Sequence, residues 1–182
     1  MEKIKQALDK ARQERKQGSN QVATPPARPV VDLSSIKYTK TQSVESSHER
    51  MRENRLVSSM EHGEYTDALK ILSTQVLQRM KENHWSSIAV TSPRKAEGKT
   101  TIAINLGISI SKEVEYTVLV VDANMRHGNM HEYFGINPKH GLSEYLTSDI
   151  ELSDVLINPK GLDHFVILPS GSPLQASSEL LG

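Results

Sequence analysis

Residues 86–101 read Ser-Ser-Ile-Ala-Val-Thr-Ser-Pro-Arg-Lys-Ala-Glu-Gly-Lys-Thr-Thr, and they carry the clearest indication of the fold class. The apolar, β-branched residues of its first half are typical of a buried parallel strand. Its second half contains Gly-Lys-Thr, and apolar residues follow at helical spacing in Ile102, Leu106 and Ile110. A phosphate-binding loop lies between a strand and a helix, so the order of these patterns predicts such a loop here.

The residue types of this loop suit a nucleotide. The first N–H groups of a helix point at an anion, and the helix dipole adds roughly half a positive charge there. Gly98 lets the backbone approach a phosphate, Lys99 can reach the terminal phosphates, and the Thr100 hydroxyl is placed to ligate Mg²⁺. The predicted nucleotide-binding residues are Pro93, Arg94, Lys95, Ala96, Glu97, Gly98, Lys99, Thr100, Thr101 and Arg126.

Two of these assignments have alternatives. The motif is incomplete, because Pro93 occupies the position of its first glycine. An ordinary strand–turn–helix with a surface lysine therefore remains an alternative interpretation of the loop. Arg126 is expected either to face a phosphate or to pair with a carboxylate of the same domain.

A second apolar run supports the first. Residues 116–122 read Tyr-Thr-Val-Leu-Val-Val-Asp and end in a carboxylate. Together with the preceding helix they predict a βαβ unit, and ligands of such sheets lie beyond the carboxyl ends of the strands. Asp122 is therefore expected to meet Thr100 at one magnesium–phosphate site, with an N-cap or turn role as its alternative. The fold class predicted is α/β, with a P-loop NTPase-type parallel sheet and flanking helices.

The chain ahead of this domain is mostly polar and predicts a helical and irregular N-terminal arm. Residues 1–17 predict a thin amphipathic helix, which either docks on a partner or an anionic membrane surface or is simply solvated. Residues 18–63 predict a polar, irregular linker. A helix is expected from Glu64 to about Glu82, so the nucleotide-binding domain is placed at residues 64–182.

The amino-acid composition excludes several kinds of protein and of site. The chain has 22 Lys+Arg, 22 Asp+Glu and a net charge of +0, which excludes a strongly basic nucleic-acid binder. It has 0 cysteines, which excludes disulfides and thiolate zinc sites. His127 and His131 have the spacing of a helical metal pair, but no third ligand is evident and no zinc is expected. Without a long apolar run or a secretory signal, the chain is expected to be cytoplasmic.

The two nucleotide-site segments resemble the Walker A and Walker A′ motifs of bacterial tyrosine kinases from capsule and exopolysaccharide gene clusters. These kinases belong to the MinD/ParA-like P-loop class. The Walker A resemblance runs from residue 91 to 106, and residues 118–126 are similar to the Walker A′ motif, which ends in Asp-x-Asp-x-Arg. Further similar stretches are Arg-Met-Arg-Glu-Asn-Arg-Leu-Val at 50–57, Gly-Leu-Ser-Glu-Tyr-Leu at 141–146, Leu-Pro-Ser-Gly at 168–171 and Ser-Glu-Leu-Leu at 178–181.

The resemblance implies an ATP- and Mg²⁺-dependent protein-tyrosine kinase that regulates polysaccharide synthesis and export. Such a kinase acts at the inner face of the plasma membrane with a membrane chain-length regulator, and it self-associates. Carried over residue by residue, Lys99 and Asp122 are the catalytic residues, and Thr100 and Asp122 hold Mg²⁺. A non-kinase MinD/ParA-like ATPase, or an ATP-binding switch module, is the alternative.

The chain departs from the family pattern at several places. Ala96 replaces a usual glycine, so strain or poorer phosphate approach is expected there, and Asn124 stands at the usual second Asp. The oligomerisation motif Glu-x-x-Arg-x-x-Arg falls on Asp67-x-x-Lys70-x-x-Ser73. Arg94 falls at the signature lysine of the MinD/ParA branch, where it either crosses a dimer or is a solvated charge. The Walker B segment and tyrosine-rich tail do not occur before residue 182, so a chain truncated ahead of Walker B is expected.

Overall fold

A computed structural model describes residues 41–56, 64–113 and 115–174, all within one compact unit of the chain. The described part is α/β. Its elements, in chain order, are β1 (Gln42–Val44), α1 (His48–Glu53), α2 (Glu64–Glu82), α3 (Lys99–Ser111), β2 (Val118–Val121), a 3₁₀ helix (Met130–Phe134), α4 (Leu142–Thr147), α5 (Leu152–Val155), β3 (Ile157–Pro159) and β4 (Phe165–Leu168).

The four strands form one mixed sheet in the order β1-β3-β4-β2. The pairs β1–β3 and β2–β4 are parallel, and β3–β4 is antiparallel. In the β2–β4 pair Val118 lies opposite Phe165, and Val121 lies opposite Leu168. The carboxyl ends of these two strands therefore meet at the same end of the sheet, which is where the candidate site is built.

Helix α3 covers the sheet through a continuous apolar core. Ile104 and Ile108 of the helix are fully buried, and the rings of Phe134 and Phe165 pack with centroids 5.9 Å apart. The helix approaches β2 closely at Gly107, where an added Cβ would lie 2.8 Å from Val120 Cγ2. This contact fixes the helix that begins at the predicted phosphate-binding loop against the strand that ends at Asp122.

Residues 41–56 belong to this core, which differs from the irregular structure expected over residues 18–63. Strand β1 pairs with β3, and Met51 and Leu56 are buried. The sequence does not reveal these elements, because a strand of 3 residues and a helix of 6 residues are too short to show a hydrophobic periodicity. The amphipathic helix expected at residues 1–17, the linker at 18–40 and the residues 57–63 lie outside the described part.

The strand predicted at residues 86–92 is not observed, so this prediction is wrong. Those residues form no strand, and Ile88 and Val90 are 45% and 37% exposed. A strand requires a neighbour that satisfies its backbone groups, and none of the described residues pairs with this segment. Helix α3 therefore follows an irregular segment, so the expected βαβ unit is not formed in the part of the chain that the structure describes.

Helix α2 is confirmed with the predicted limits, Glu64 and Glu82. It packs on α3. Its Leu69 is buried, and its buried Ser73 hydroxyl lies 3.0 Å from the Ser109 hydroxyl of α3. No helix among residues 41–56, 64–113 and 115–174 is long and apolar enough to cross a membrane.

Candidate nucleotide-binding site

The predicted phosphate-binding loop ends at Gly98, the N-cap of α3. Gly98 has φ +86°, a left-handed conformation that suits glycine, and no side chain caps the helix. The first intrahelical bond runs from the Ile102 N–H to the Gly98 carbonyl at 2.9 Å. The helix therefore leaves the N–H groups of Lys99, Thr100 and Thr101 without intrahelical partners. An added Cβ at Gly98 would meet nothing within 4 Å, so no described residue crowds this side of Gly98.

The loop ahead of Gly98 is held by its own polar groups. The Ser92 hydroxyl donates to the Arg94 carbonyl at 2.9 Å, and the Arg94 N–H donates to the Glu97 carboxylate at 3.2 Å. Ala96 has φ +60°, a left-handed conformation that an L-residue with a Cβ rarely adopts. The expected backbone strain at Ala96 is thus present, and Glu97 occupies a backbone donor of the loop.

The two side chains predicted to face phosphate and metal lie at the start of α3. Lys99 and Thr100 are half-buried, on the first turn of the helix. Within the described residues Lys99 forms no ion pair with a carboxylate. Pro93, Arg94 and Lys95 are exposed in the loop, as is Arg126 beyond β2. A positive side chain and free helix N–H groups therefore share one open surface.

Asp122 follows β2 and is engaged by the turn that comes after it. Its Oδ1 accepts from the Asn124 N–H at 3.2 Å, and its Oδ2 accepts from the Met130 N–H at 3.1 Å. Asp122 thus has the turn role that the sequence analysis gave as the alternative to a magnesium ligand. A carboxylate has about four acceptor sites, so these two bonds leave capacity for a cation. No hydrogen bond or ion pair between described residues joins Asp122 to the loop at 93–101.

Asn124 and the two histidines also have defined positions. The Asn124 side-chain amide donates to the His127 carbonyl at 3.2 Å, a bond that an aspartate in its place would not make. His131 lies on the 3₁₀ helix and His127 precedes it, so the two are not on one α-helical face. The described residues contain no group of three or more metal-binding side chains. Mg²⁺ bound with a nucleotide needs only one or two carboxylates besides phosphates and water, so Asp122 and Thr100 fit its donor set.

A polar cluster around Glu144, next to the end of β4, was not singled out by the sequence analysis. Glu144 accepts from the Gly141 N–H at 2.7 Å, the Ser143 hydroxyl at 3.0 Å and the Ser172 N–H at 3.0 Å. Burial alone would raise the pKa of Glu144, but hydrogen bonds from Ser172 and Gly141 outweigh it and lower the pKa to about 2. The Glu144 carboxylate therefore connects the turn after β4 to the start of α4. The only indication of this cluster in the sequence was the resemblance of residues 141–146 and 168–171 to bacterial tyrosine kinases.

Sheet, helix and loop together define the class of P-loop NTPase-like α/β domains. The kinase domain of Escherichia coli tyrosine kinase ETK superposes with a TM-score of 0.62 at 26% identity, covering 77% of this chain and 58% of that one. The BceF tyrosine kinase domain superposes with a TM-score of 0.62 at 23% identity, covering 78% of this chain and 60% of that chain, and shares the fold.

Sequence comparison finds similar proteins among the tyrosine kinases. No family model matches the chain. The tyrosine-protein kinase etk of Escherichia coli K12 is 32% identical over 115 residues, which are 63% of this chain and 16% of that protein. The tyrosine-protein kinase wzc of Salmonella typhi is 30% identical over 115 residues, again 63% and 16%. In sequence and fold the chain is therefore similar to bacterial tyrosine kinases, and it spans 16% of the length of these curated relatives.

Proposed function

We propose that this chain binds ATP with Mg²⁺ at the start of α3 and acts as an ATP-dependent protein-tyrosine kinase. The observation that carries the proposal is the end of α3 itself. Its N-cap is a left-handed glycine without a side-chain cap, and Lys99 stands on its first turn with no ion pair to a described carboxylate. This is the arrangement by which helix N-termini bind phosphate.

Each residue then has a role in phosphoryl transfer. The N–H groups of residues 99–101 and the Lys99 ammonium hold the phosphates, and Thr100 and Asp122 hold the metal ion. Bound Mg²⁺ supplies neutralisation of the charge that develops on the phosphoryl oxygens. As the alternative to holding the metal ion, Asp122 would accept the proton of an attacking tyrosine hydroxyl. The chain contributes mainly positioning and electrostatics, because phosphoryl transfer leaves a protein little covalent chemistry to do.

The cellular role follows by analogy with the family. We assign the chain to the regulation of exopolysaccharide or capsule synthesis and export, in the cytoplasm at the inner face of the plasma membrane. Its partners are then a membrane chain-length regulator and further copies of itself. The support for this assignment is the similarity to the tyrosine kinases etk and wzc, together with the amphipathic helix predicted at residues 1–17.

An ATP-binding switch of the MinD/ParA type, without kinase activity, is the second candidate. It is favoured by the side chains around Asp122. Asn124 replaces the family's second aspartate and is used as a hydrogen-bond donor inside its turn. With one carboxylate at this turn, less charge is neutralised at a transferring phosphoryl group than two would neutralise.

Calorimetric titration of ATP in the presence of Mg²⁺ tests the binding, and an anti-phosphotyrosine blot after incubation with Mg-ATP separates the candidates. Lys99→Ala is expected to weaken ATP binding about tenfold or more, since it removes the charge that faces the phosphates. Lys139→Ala removes an exposed positive charge outside the loop and is the matched control. Equal affinity of wild type and Lys99→Ala would refute the nucleotide site. Binding without Lys99-dependent phosphorylation would favour the switch.

A further inference from the structure

Residues 169–174 follow β4 and form a strap that is held at the start of α4. The Glu144 carboxylate accepts from the Ser172 N–H of the strap at 3.0 Å and from the Gly141 N–H ahead of α4 at 2.7 Å. A Cβ at Gly171 would overlap the Glu144 carboxylate, so the strap backbone lies directly against this side chain. Glu144 therefore fixes the middle of the strap.

The strap also lies against the turn that follows Asp122. The Leu174 N–H donates to the Met125 carbonyl at 2.9 Å, and Met125 is 1% exposed. Ser170 is also 1% exposed, and a Cβ at Gly128 would overlap its side chain. The strap thus contacts the turn at two places, Met125 and Gly128, and a buried residue takes part in each contact.

The Asp122 carboxylate closes the same turn. It accepts from the Asn124 N–H at 3.2 Å and from the Met130 N–H at 3.1 Å. The two strap contacts, at Met125 and Gly128, lie between these two donors in the chain. A shift of the strap would therefore move the turn and with it the direction of the carboxylate. That direction matters for a metal ligand, because Mg²⁺ demands near-ideal octahedral geometry.

We propose that Glu144 is a positioning residue for the metal ligand Asp122. Glu144 holds the strap, the strap holds the turn at Met125 and Gly128, and the turn sets the orientation of the Asp122 carboxylate. Glu144 acts on the metal only through this series of contacts. The inference rests on the proposed function, because the metal is the Mg²⁺ of the proposed nucleotide site.

A purely local role of Glu144 is the competing explanation. Glu144 would then serve only the start of α4 through its bond from Gly141, and Glu144→Gln would lower the free energy of unfolding without changing Mg²⁺ binding. In the proposal the variant has a second effect. Glutamine removes the negative charge and turns an NH₂ group toward a backbone N–H that needs an acceptor, so the strap is held less firmly. The Mg²⁺ requirement for nucleotide binding then rises.

The experiment is a calorimetric titration of ADP into the full chain at a series of Mg²⁺ concentrations and in excess EDTA. Glu144→Gln is expected to raise the half-saturating Mg²⁺ concentration about threefold to tenfold, a usual size for coupling through packed contacts, and to leave ADP affinity in EDTA unchanged. Ile110→Val is the matched control. It shortens a buried side chain in the last turn of α3, so it lowers the free energy of unfolding and leaves the strap intact.

A double-mutant cycle tests whether Glu144 acts through Asp122. Asp122→Asn alone should raise the Mg²⁺ requirement, because it removes the charge of the metal ligand. Adding Glu144→Gln to Asp122→Asn should cause no further rise, since the carboxylate that Glu144 positions is then absent.

Three results would overturn the proposal alone. The first is a Mg²⁺ dependence of Glu144→Gln equal to that of wild type. The second is an equal shift in Ile110→Val, which would show a general effect of lower stability. The third is a full additional shift of Glu144→Gln in the Asp122→Asn background. Failure of the wild-type protein to bind ADP at any Mg²⁺ concentration would instead overturn the proposed function, and this inference with it.

Discussion

The Glu97 carboxylate accepts a hydrogen bond from the Arg94 N–H at 3.2 Å, inside the loop proposed to bind phosphate. A negative side chain thus occupies a backbone donor of the kind that an incoming phosphate uses. Nucleotide binding must displace this carboxylate or tolerate its charge nearby. Glu97 therefore opposes the attraction exerted by Lys99 and the helix end.

Replacing Glu97 by glutamine should tighten ADP binding about fivefold. The amide oxygen of Glu97→Gln keeps the bond from Arg94, while the repulsion of the phosphates is removed; two unit charges about 4 Å apart in water repel by roughly 1 kcal/mol. The effect should shrink in high salt, since exposed charges are screened. Calorimetry at two salt concentrations measures it. Glu113→Gln, an exposed residue beyond the far end of α3, should leave the affinity unchanged.

Ala96→Gly should stabilise the protein and improve nucleotide binding. The left-handed conformation at φ +60° costs a non-glycine residue about 1–2 kcal/mol, which glycine avoids. Glycine also raises the conformational entropy of the unfolded chain, and this lowers the free energy of unfolding by about 0.4–1 kcal/mol. A net rise of about 0.5–1 kcal/mol in the free energy of unfolding is expected from these two terms. Urea denaturation measures it. Ala103→Gly, inside α3, should instead lose about 1 kcal/mol. Equal losses in both variants would show that Ala96 is unstrained.

Gly107→Ala tests the close contact between α3 and β2. An added Cβ would lie 2.8 Å from Val120 Cγ2 and 3.0 Å from Phe165 Cε2. Overpacking of this kind costs about 1–3 kcal/mol, whereas alanine gains about 1 kcal/mol in helix propensity. We expect a net loss of about 1 kcal/mol in urea denaturation, with an unchanged slope m. A gain in stability would mean that the helix stands farther from the sheet.

Glu144 should make stability depend on pH in the acid range. Its pKa is lowered from 4.5 to about 2, so the folded state binds the proton more weakly than the unfolded state. The stabilisation is therefore fully present above the unfolded pKa and is lost as the pH falls from about 4.5 toward 2. Unfolding free energies measured across this interval should decline more in wild type than in Glu144→Gln. The exposed Glu151 gives the control variant Glu151→Gln, which should decline as wild type does.

Helices and strands with a long enough hydrophobic pattern could be predicted from the sequence, whereas single side-chain contacts could not. The limits of α2, the strand at β2 and the glycine turn before α3 follow from periodicity and from the Gly-Lys-Thr triplet. Residues 86–92 were misassigned because their β-branched pattern describes a strand only when a neighbour pairs with it. Asp122 was singled out by its place after β2, but its bonds to Asn124 and Met130 depend on a turn that no pattern encodes. The cluster around Glu144 was not predicted because its bonds from Gly141, Ser143 and Ser172 are visible only in three dimensions.

The free edge of β2 should cause self-association. Among the described residues β2 hydrogen-bonds only to β4, and its Leu119 and Val121 are 48% and 44% exposed. An apolar edge strand without charges is a template for pairing with another chain. Leu119→Lys places a charge on this strand, so it should reduce concentration-dependent association, while stability changes little because the side chain is already half exposed.

Sedimentation at a series of protein concentrations measures the association, and urea denaturation checks the stability. The matched control is Ile71→Lys, which changes a side chain that is 62% exposed on α2 rather than on the sheet. It should leave association unchanged, because α2 has no unpaired strand backbone to offer. If both variants reduced association equally, general exposed hydrophobicity would be the cause. If Leu119→Lys had no effect at all, the edge of β2 would not be an association surface.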